Sequence, residues 1–196
     1  MRVALLVAYP ILVHLSILIG SAWLQWLAMQ CMFAGLFLTQ LNERRWSAWA
    51  SLGLFALATG LLARFGGGLY PLFVPPLVIP ALVLSAFASS LLPGQKPLVT
   101  RIAESTHGTL PDYLLRYTRT VTWVWTIFMT CLLLAIIYLM IFGPLRAWSA
   151  LANFGGYLLI GILFVGEYVY RRLRFRDFNH LSFIASMRRA VTTRIR

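Results

Sequence analysis

Six runs of mostly apolar residues, at 3–19, 22–41, 46–63, 69–92, 121–142 and 149–170, take up most of this 196-residue chain. Each is close to the roughly 20 residues that an α-helix needs to cross a hydrocarbon core about 30 Å thick. The breaks at 20–21, 42–45, 64–68 and 143–148 are too short to hold a soluble domain, and only the segment 93–120 is longer. Inside a bilayer every backbone amide must be satisfied within the protein, so runs of this length become helices. The sequence therefore predicts an all-α, polytopic membrane protein. A six-helix transmembrane bundle occupies 1–170, with one long loop at 93–120, and a basic amphipathic tail occupies 171–196. Composition agrees, since only 11% of residues are charged and 60% are hydrophobic, against roughly a quarter charged in soluble domains.

An even number of spans puts both termini on one side, and the basic residues choose the side. With the N-terminus in the cytoplasm, the inner segments hold Arg2, Arg44, Arg45, Lys96, Arg101, Arg116, Arg119 and the arginines of the tail, leaving Arg64 and Arg146 outside. The net charge of +12 is then a consequence of topology, and no nucleic-acid partner is implied. All seven tryptophans fall near predicted span ends, the level that indoles favour. Gly20-Ser21-Ala22 has the small residues of a signal-peptidase site, but Pro10, His14 and the immediate second span favour an uncleaved helical hairpin. Cys31 and Cys131 lie inside spans and read as small apolar residues.

Polar and proline intrusions mark the candidate sites. Glu167 is the one acid within a span. Counting from Ser149 at about 1.5 Å per residue places it roughly 27 Å down its helix, at a boundary rather than a midplane. Arg171, four residues on, is in the favoured order for a helical ion pair; the sharper alternative turns Glu167 inward to an arginine of the long loop. Pro71, Pro75, Pro76 and Pro80 predict that span four is broken or strongly kinked, which would require covered backbone or a wet cavity. Thr118, Thr122, Thr126 and Thr130 stack on one face, either lining a polar path or bonding back to their own helix. His14 and Gln30 are expected to meet across the first hairpin. Ala56 with Gly60, and Gly161 with Gly166, read as close-packing positions.

In the loop, Leu98, Arg101, Ile102 and Glu104 suggest a short interfacial helix. Thr109-Leu110-Pro111-Asp112 resembles a helix start, from which Tyr113, Leu114, Arg116, Tyr117 and Arg119 lead directly into span five. His107 and Asp112 have the spacing of the histidine–aspartate pair of glycerolipid acyltransferases, in which the imidazole takes a proton from an attacking hydroxyl; none of that family's companion motifs follows. His107, Asp112 and Glu167 are thus the catalytic candidates, and the case for an enzyme leans to no. Three histidines and two cysteines on separate segments make no metal set, and no residue set implies a cofactor. In the tail, Leu181, Ile184, Met187, Val191 and Ile195 share a helical face, with Arg171, Arg172, Arg174, Arg188 and Arg189 mostly elsewhere. Such a helix would lie among headgroups and attract anionic lipids or acidic proteins.

The loop PLVTRIAESTHGTLPDYLLRYTRTVTWVW, taken with WSALANFGGYLLIGILFVGEYVYRRLRF, resembles a family of small, uncharacterised bacterial inner-membrane proteins encoded in aryl-polyene and xanthomonadin-like pigment clusters. The resemblance covers the C-terminal half; the first four spans match in pattern only. Acyl carrier proteins, ketosynthases, an AMP-forming ligase and acyltransferases accompany that family. The resemblance implies an accessory inner-membrane protein in making or moving an acylated polyene. Its first form is a platform showing Arg101, Arg116, Arg119 and the tail to acidic acyl carriers or synthases. The alternatives are a lipid carrier or flippase component built on the prolines with Thr122 and Thr126, and a membrane-embedded acyltransferase.

Overall fold

The computed structural model of the protein describes residues 1–107 and 110–174, except for the side chains of Thr106 and His107. Every element among them is helical. They are α1 (Arg2–Ile19), α2 (Ala22–Asn42), α3 (Trp46–Arg64), α4 (Tyr70–Ser89), a short α5 (Leu98–His107), a long α6 (Asp112–Phe142), α7 (Leu145–Ala150), a π turn (Leu151–Gly155) and α8 (Gly156–Arg174). The last three run on as one rod, Leu145–Arg174, so that six helices of the described residues are long and apolar enough to cross a membrane. Their bounds follow the six sequence runs, with α6 starting at Asp112 as the loop sequence implied.

The described residues pack as two compact units, one from Met1–Ile79 with Leu134–Tyr157, the other from Pro80–Leu133 with residues 158–174. Helices α4, α6 and α8 contribute residues to both. In the first unit α1 and α2 form a hairpin, and the Gly20-Ser21 pair is its turn. Gly20 adopts a left-handed φ of 75°, open to glycine at little cost, and gives its N–H to the Ser16 carbonyl at 2.9 Å. Ser21 then caps α2, its hydroxyl accepting the Leu24 N–H at 3.5 Å. Gly35 lets the two helices close, because a Cβ there would stand 2.9 Å from Leu6 Cδ2. Trp26 fills the α2–α3 seam: its indole donates to the Ala56 carbonyl at 2.9 Å and lies 3.5 Å from the Cβ position of Gly60. The Ala56–Gly60 expectation holds there. Outer faces stay apolar and bare, as in α3, which buries only Ala48 and Thr59; a helix apolar all round in this way has lipid for its solvent.

In the second unit α5 is bonded to α6 through Val99 and Thr100, and Leu98, Leu114, Val121 and Met129 are buried. Phe87 stacks on Trp125 at 5.8 Å, and Phe164 meets the same indole obliquely at 6.4 Å. Pro111 starts α6, its carbonyl accepting the Leu114 and Leu115 N–H groups at 2.9 and 3.1 Å; Thr109, the expected cap, lies outside the described residues.

Several expectations are corrected. Of the two outcomes expected for span four, a break is absent, since α4 is helical throughout its 20 residues. Pro71 sits in the first turn, where no helical donor is needed, and the Gly67 carbonyl accepts the Tyr70 N–H at 3.2 Å instead. Pro76 denies the Leu72 carbonyl its helical donor, and the Tyr9 hydroxyl of α1 supplies one at 3.3 Å. Pro75 and Pro76 are buried, Pro71 and Pro80 half-buried. Trp125 and Trp148 are core residues, 9% and 0% exposed, not part of an interfacial belt. Gly161 and Gly166 close-pack against nothing, since a Cβ at either would meet open space.

Candidate functional site

At the loop end of the second unit, hydroxyls fasten α5 to its neighbours. Thr122, Thr126 and Thr130 each donate to the carbonyl four residues back, at 2.8, 2.9 and 2.8 Å, so the stacked threonines are satisfied by their own helix. Two of them also do something the sequence reading missed. The Thr118 hydroxyl meets that of Thr100 at 2.7 Å, and Thr122 Oγ1 accepts the Val99 N–H at 3.4 Å. Ser90 Oγ accepts the Leu98 N–H at 2.9 Å while donating to the Phe87 carbonyl at 2.7 Å. The first amides of a helix have no partner within it, and Ser90 and Thr122 supply them for α5. Lys96 and Glu104 pair at 2.9 Å across its first two turns.

Glu167 is held here too. Its Oε1 accepts the Tyr117 hydroxyl at 3.0 Å and lies 3.7 Å from Arg171 Nε, while the Tyr170 ring stacks on that of Tyr117 at 6.0 Å. The ion pair within the helix is the expected one. Beyond its own helix the carboxylate meets a tyrosine, not an arginine of the loop. Tyr117 was legible only as part of an α6 extension. Asp112 and Arg116, one turn apart, form no ion pair with each other.

Arg116, Arg119, Arg172 and Arg174 are exposed, Arg171 half-buried, and Arg101 has a buried Nε with no partner. The side chain of His107 is outside the described set, and so is its geometry with the exposed Asp112; Arg188 and Arg189 also lie outside the described residues. The turn after α4, from Ser90 to Pro97, encloses with Arg119 a cavity of about 290 Å³. Gly94 gives the turn its shape with a φ of 80°.

The first unit holds a separate polar cluster. His14 does not meet Gln30. Its Nδ1 lies 3.0 Å from Ser149 Oγ, and the Asn153 amide donates to the Ser149 carbonyl and hydroxyl at 3.0 and 3.1 Å. Gln30 instead donates to Thr59 at 3.0 Å and to the Trp26 carbonyl at 3.4 Å. Asn153 belongs to the π turn. Its side chain occupies the carbonyl that an α-helix reserves for the backbone amide of residue 153, which accompanies the local shift to wider hydrogen bonding. Ser149 and Asn153 are 0% and 2% exposed, so the trio closes on itself and ties α1 to the rod as an interhelical polar bond.

These observations define a multi-pass α-helical membrane protein with a polar, arginine-bearing loop end. No family model, curated protein or solved structure matches the chain. Among the described residues no three metal-ligating side chains come together.

Proposed function

We propose that the chain is an accessory protein of the bacterial inner membrane, with both termini and the 93–120 loop in the cytoplasm. It serves the synthesis of an acylated, aryl-polyene-like lipid or pigment as a platform for acidic acyl-carrier or synthase partners. The observation that carries this reading is the clamp on α5. Thr100, Thr118 and Thr122 fix the loop helix to α6 and Ser90 fixes it to the end of α4, beside exposed Arg116, Arg119 and Arg172 that have no acidic partner among the described residues. An ordered polar surface with unneutralised arginines suits association by summed charge. The carrier or flippase reading keeps the prolines of α4 as its candidate feature, now within a continuous helix. The transferase reading keeps its candidates His107, Asp112 and Glu167, of which Glu167 is committed to Tyr117 and Arg171.

The test is binding of acidic acyl carrier proteins to the protein in detergent or nanodiscs, with wild type compared against a variant in which Arg116, Arg172, Arg188 and Arg189 are glutamine. Each arginine near an anionic surface contributes about 1 kcal/mol at low salt, so the variant should bind at least about tenfold more weakly, with the difference shrinking as salt rises. His107→Ala should leave product formation intact, where loss of a general base would cost a factor of about 10² to 10⁴. Wild-type binding by the fourfold variant would overturn the platform. Loss of product in His107→Ala with normal accumulation of folded protein would install the transferase in its place.

A further inference from the structure

The cavity behind α4 has the attributes of a headgroup site. Its lining includes Ser90, Leu91, Leu92, Gly94, Gln95 and Arg119, with no carboxylate. Arg119 is exposed and has no acidic partner among the described residues. Its guanidinium offers five donors in a planar fork suited to phosphate oxygens. The wall opposite is fixed before anything binds. Ser90 is held at both ends by Phe87 and Leu98, the Gln95 N–H donates to the Leu92 carbonyl at 3.1 Å, and two prolines stiffen the turn. A cavity of about 290 Å³ is at the lower limit of small-molecule pockets, roughly 300 Å³ and upward. That suits a polar head and not a whole lipid.

Its level decides what kind of anion arrives. The apolar run that contains α4 continues to Leu92, three residues past the helix and 59% exposed, and that of α6 begins at Val121, two residues after Arg119. The cavity therefore lies where apolar side chains give way to polar ones on both helices, the level of phosphates in a bilayer. A ligand whose phosphate meets Arg119 would lay its chains along Leu91 and Leu92. We propose that this cup binds the phosphate head of an anionic membrane phospholipid, with Arg119 as its anion-recognising residue. The proposal goes beyond the platform reading: it requires a lipid and no protein partner.

The experiment measures binding of dioctanoyl phosphatidylglycerol to the purified full-length protein by native mass spectrometry. Dioctanoyl phosphatidylcholine and inorganic phosphate are the comparison ligands, and Arg119→Gln, Arg119→Lys and Arg172→Gln the variants. Wild type should prefer phosphatidylglycerol to phosphatidylcholine. Arg119→Gln should weaken phosphatidylglycerol about fivefold, the effect of one arginine near an anionic surface. Arg119→Lys should recover part of the loss, since it restores charge without the fork, and Arg172→Gln should weaken binding clearly less than Arg119→Gln does. Equal loss in Arg119→Gln and Arg172→Gln would mean a diffuse field and sink the site. Wild-type affinity in Arg119→Gln, confirmed as folded by its elution and helicity, would do the same. Inorganic phosphate displacing the lipid at equal concentration would overturn the lipid assignment. None of these readouts involves an acyl carrier protein, and the platform variant keeps Arg119, so either idea can fail alone.

Discussion

Replacing Tyr9 with phenylalanine removes one oxygen and tests how a helix with four prolines survives unbroken. In α4 the missing amide of Pro76 leaves the Leu72 carbonyl free, and the Tyr9 hydroxyl donates to it at 3.3 Å in a fully buried setting. An orphaned buried carbonyl costs about 1–3 kcal/mol in soluble proteins. Interhelical polar bonds in bilayers average about 0.6 and reach about 1.7 kcal/mol. The length of this bond is beyond the usual hydroxyl range, so we expect Tyr9→Phe to cost about 0.5–1 kcal/mol. The decisive comparison is a double-mutant cycle with Pro76→Ala. Alanine restores the amide that reaches Leu72, so in that background Tyr9→Phe should cost close to nothing, giving a coupling of about 0.5–1 kcal/mol. The assay is reversible unfolding by dodecyl sulfate in mixed micelles, followed by tryptophan fluorescence. Additivity of the two substitutions within about 0.3 kcal/mol would refute the claim that Tyr9 substitutes for the proline's missing donor.

The same unfolding assay checks two further expectations. Gly35→Leu should destabilise by about 1–3 kcal/mol through overpacking, because its Cβ would stand 2.9 Å from Leu6 Cδ2 and 3.3 Å from Leu5 Cβ. Gly161→Ala, with nothing near its Cβ, should be neutral or stabilising by up to about 1 kcal/mol; a penalty there as large as at Gly35 would contradict the packing described. Glu167→Gln keeps an oxygen for Tyr117 and gives up only a partly exposed helical ion pair, so its cost should stay below about 0.5 kcal/mol. A larger loss would show Glu167 to be more than a boundary residue.

The spans were legible because hydropathy and length act residue by residue: bilayer thickness fixes about 20 apolar residues per helix, and no tertiary knowledge is needed. The α5 helix and the early start of α6 were legible for a similar reason, through Pro111 and the Leu98–Ile102 spacing. What failed were inferences about partners. Proline chemistry correctly says that the Leu72 carbonyl loses its donor, yet a single sequence cannot say that Tyr9, 63 positions away, returns one. His14 was given the wrong partner because Gln30 is near in the hairpin, whereas Ser149 is reached only through the fold. Trp125 and Trp148 were placed near span ends, but nearness to a span end does not determine whether an indole faces lipid or protein. The candidate arginines were legible as basic residues near a loop; the cup was not, since it depends on how a Pro-Gly turn folds beside Arg119.

Helices in lipid lack the apolar driving force that tells a soluble helix where to pack, because lipid tails are as apolar as leucine. In this chain polar side chains supply much of that information. Within the first unit Trp26 reaches Ala56, Gln30 reaches Thr59 and His14 reaches Ser149. Within the second, Ser90 reaches Leu98, Thr100 reaches Thr118 and Tyr117 reaches Glu167. The consequence for function is specific to the loop end. Its hydroxyls Ser90, Thr100, Thr118 and Thr122 and its carboxylates Glu104 and Glu167 are committed to internal bonds, while Arg116, Arg119 and Arg172 are left exposed, with Asp112 exposed beside them. On the proposed reading, recognition there acts through cationic charge and the shape of the cup. Substitution of the internal hydroxyls should disturb it only indirectly, by loosening α5.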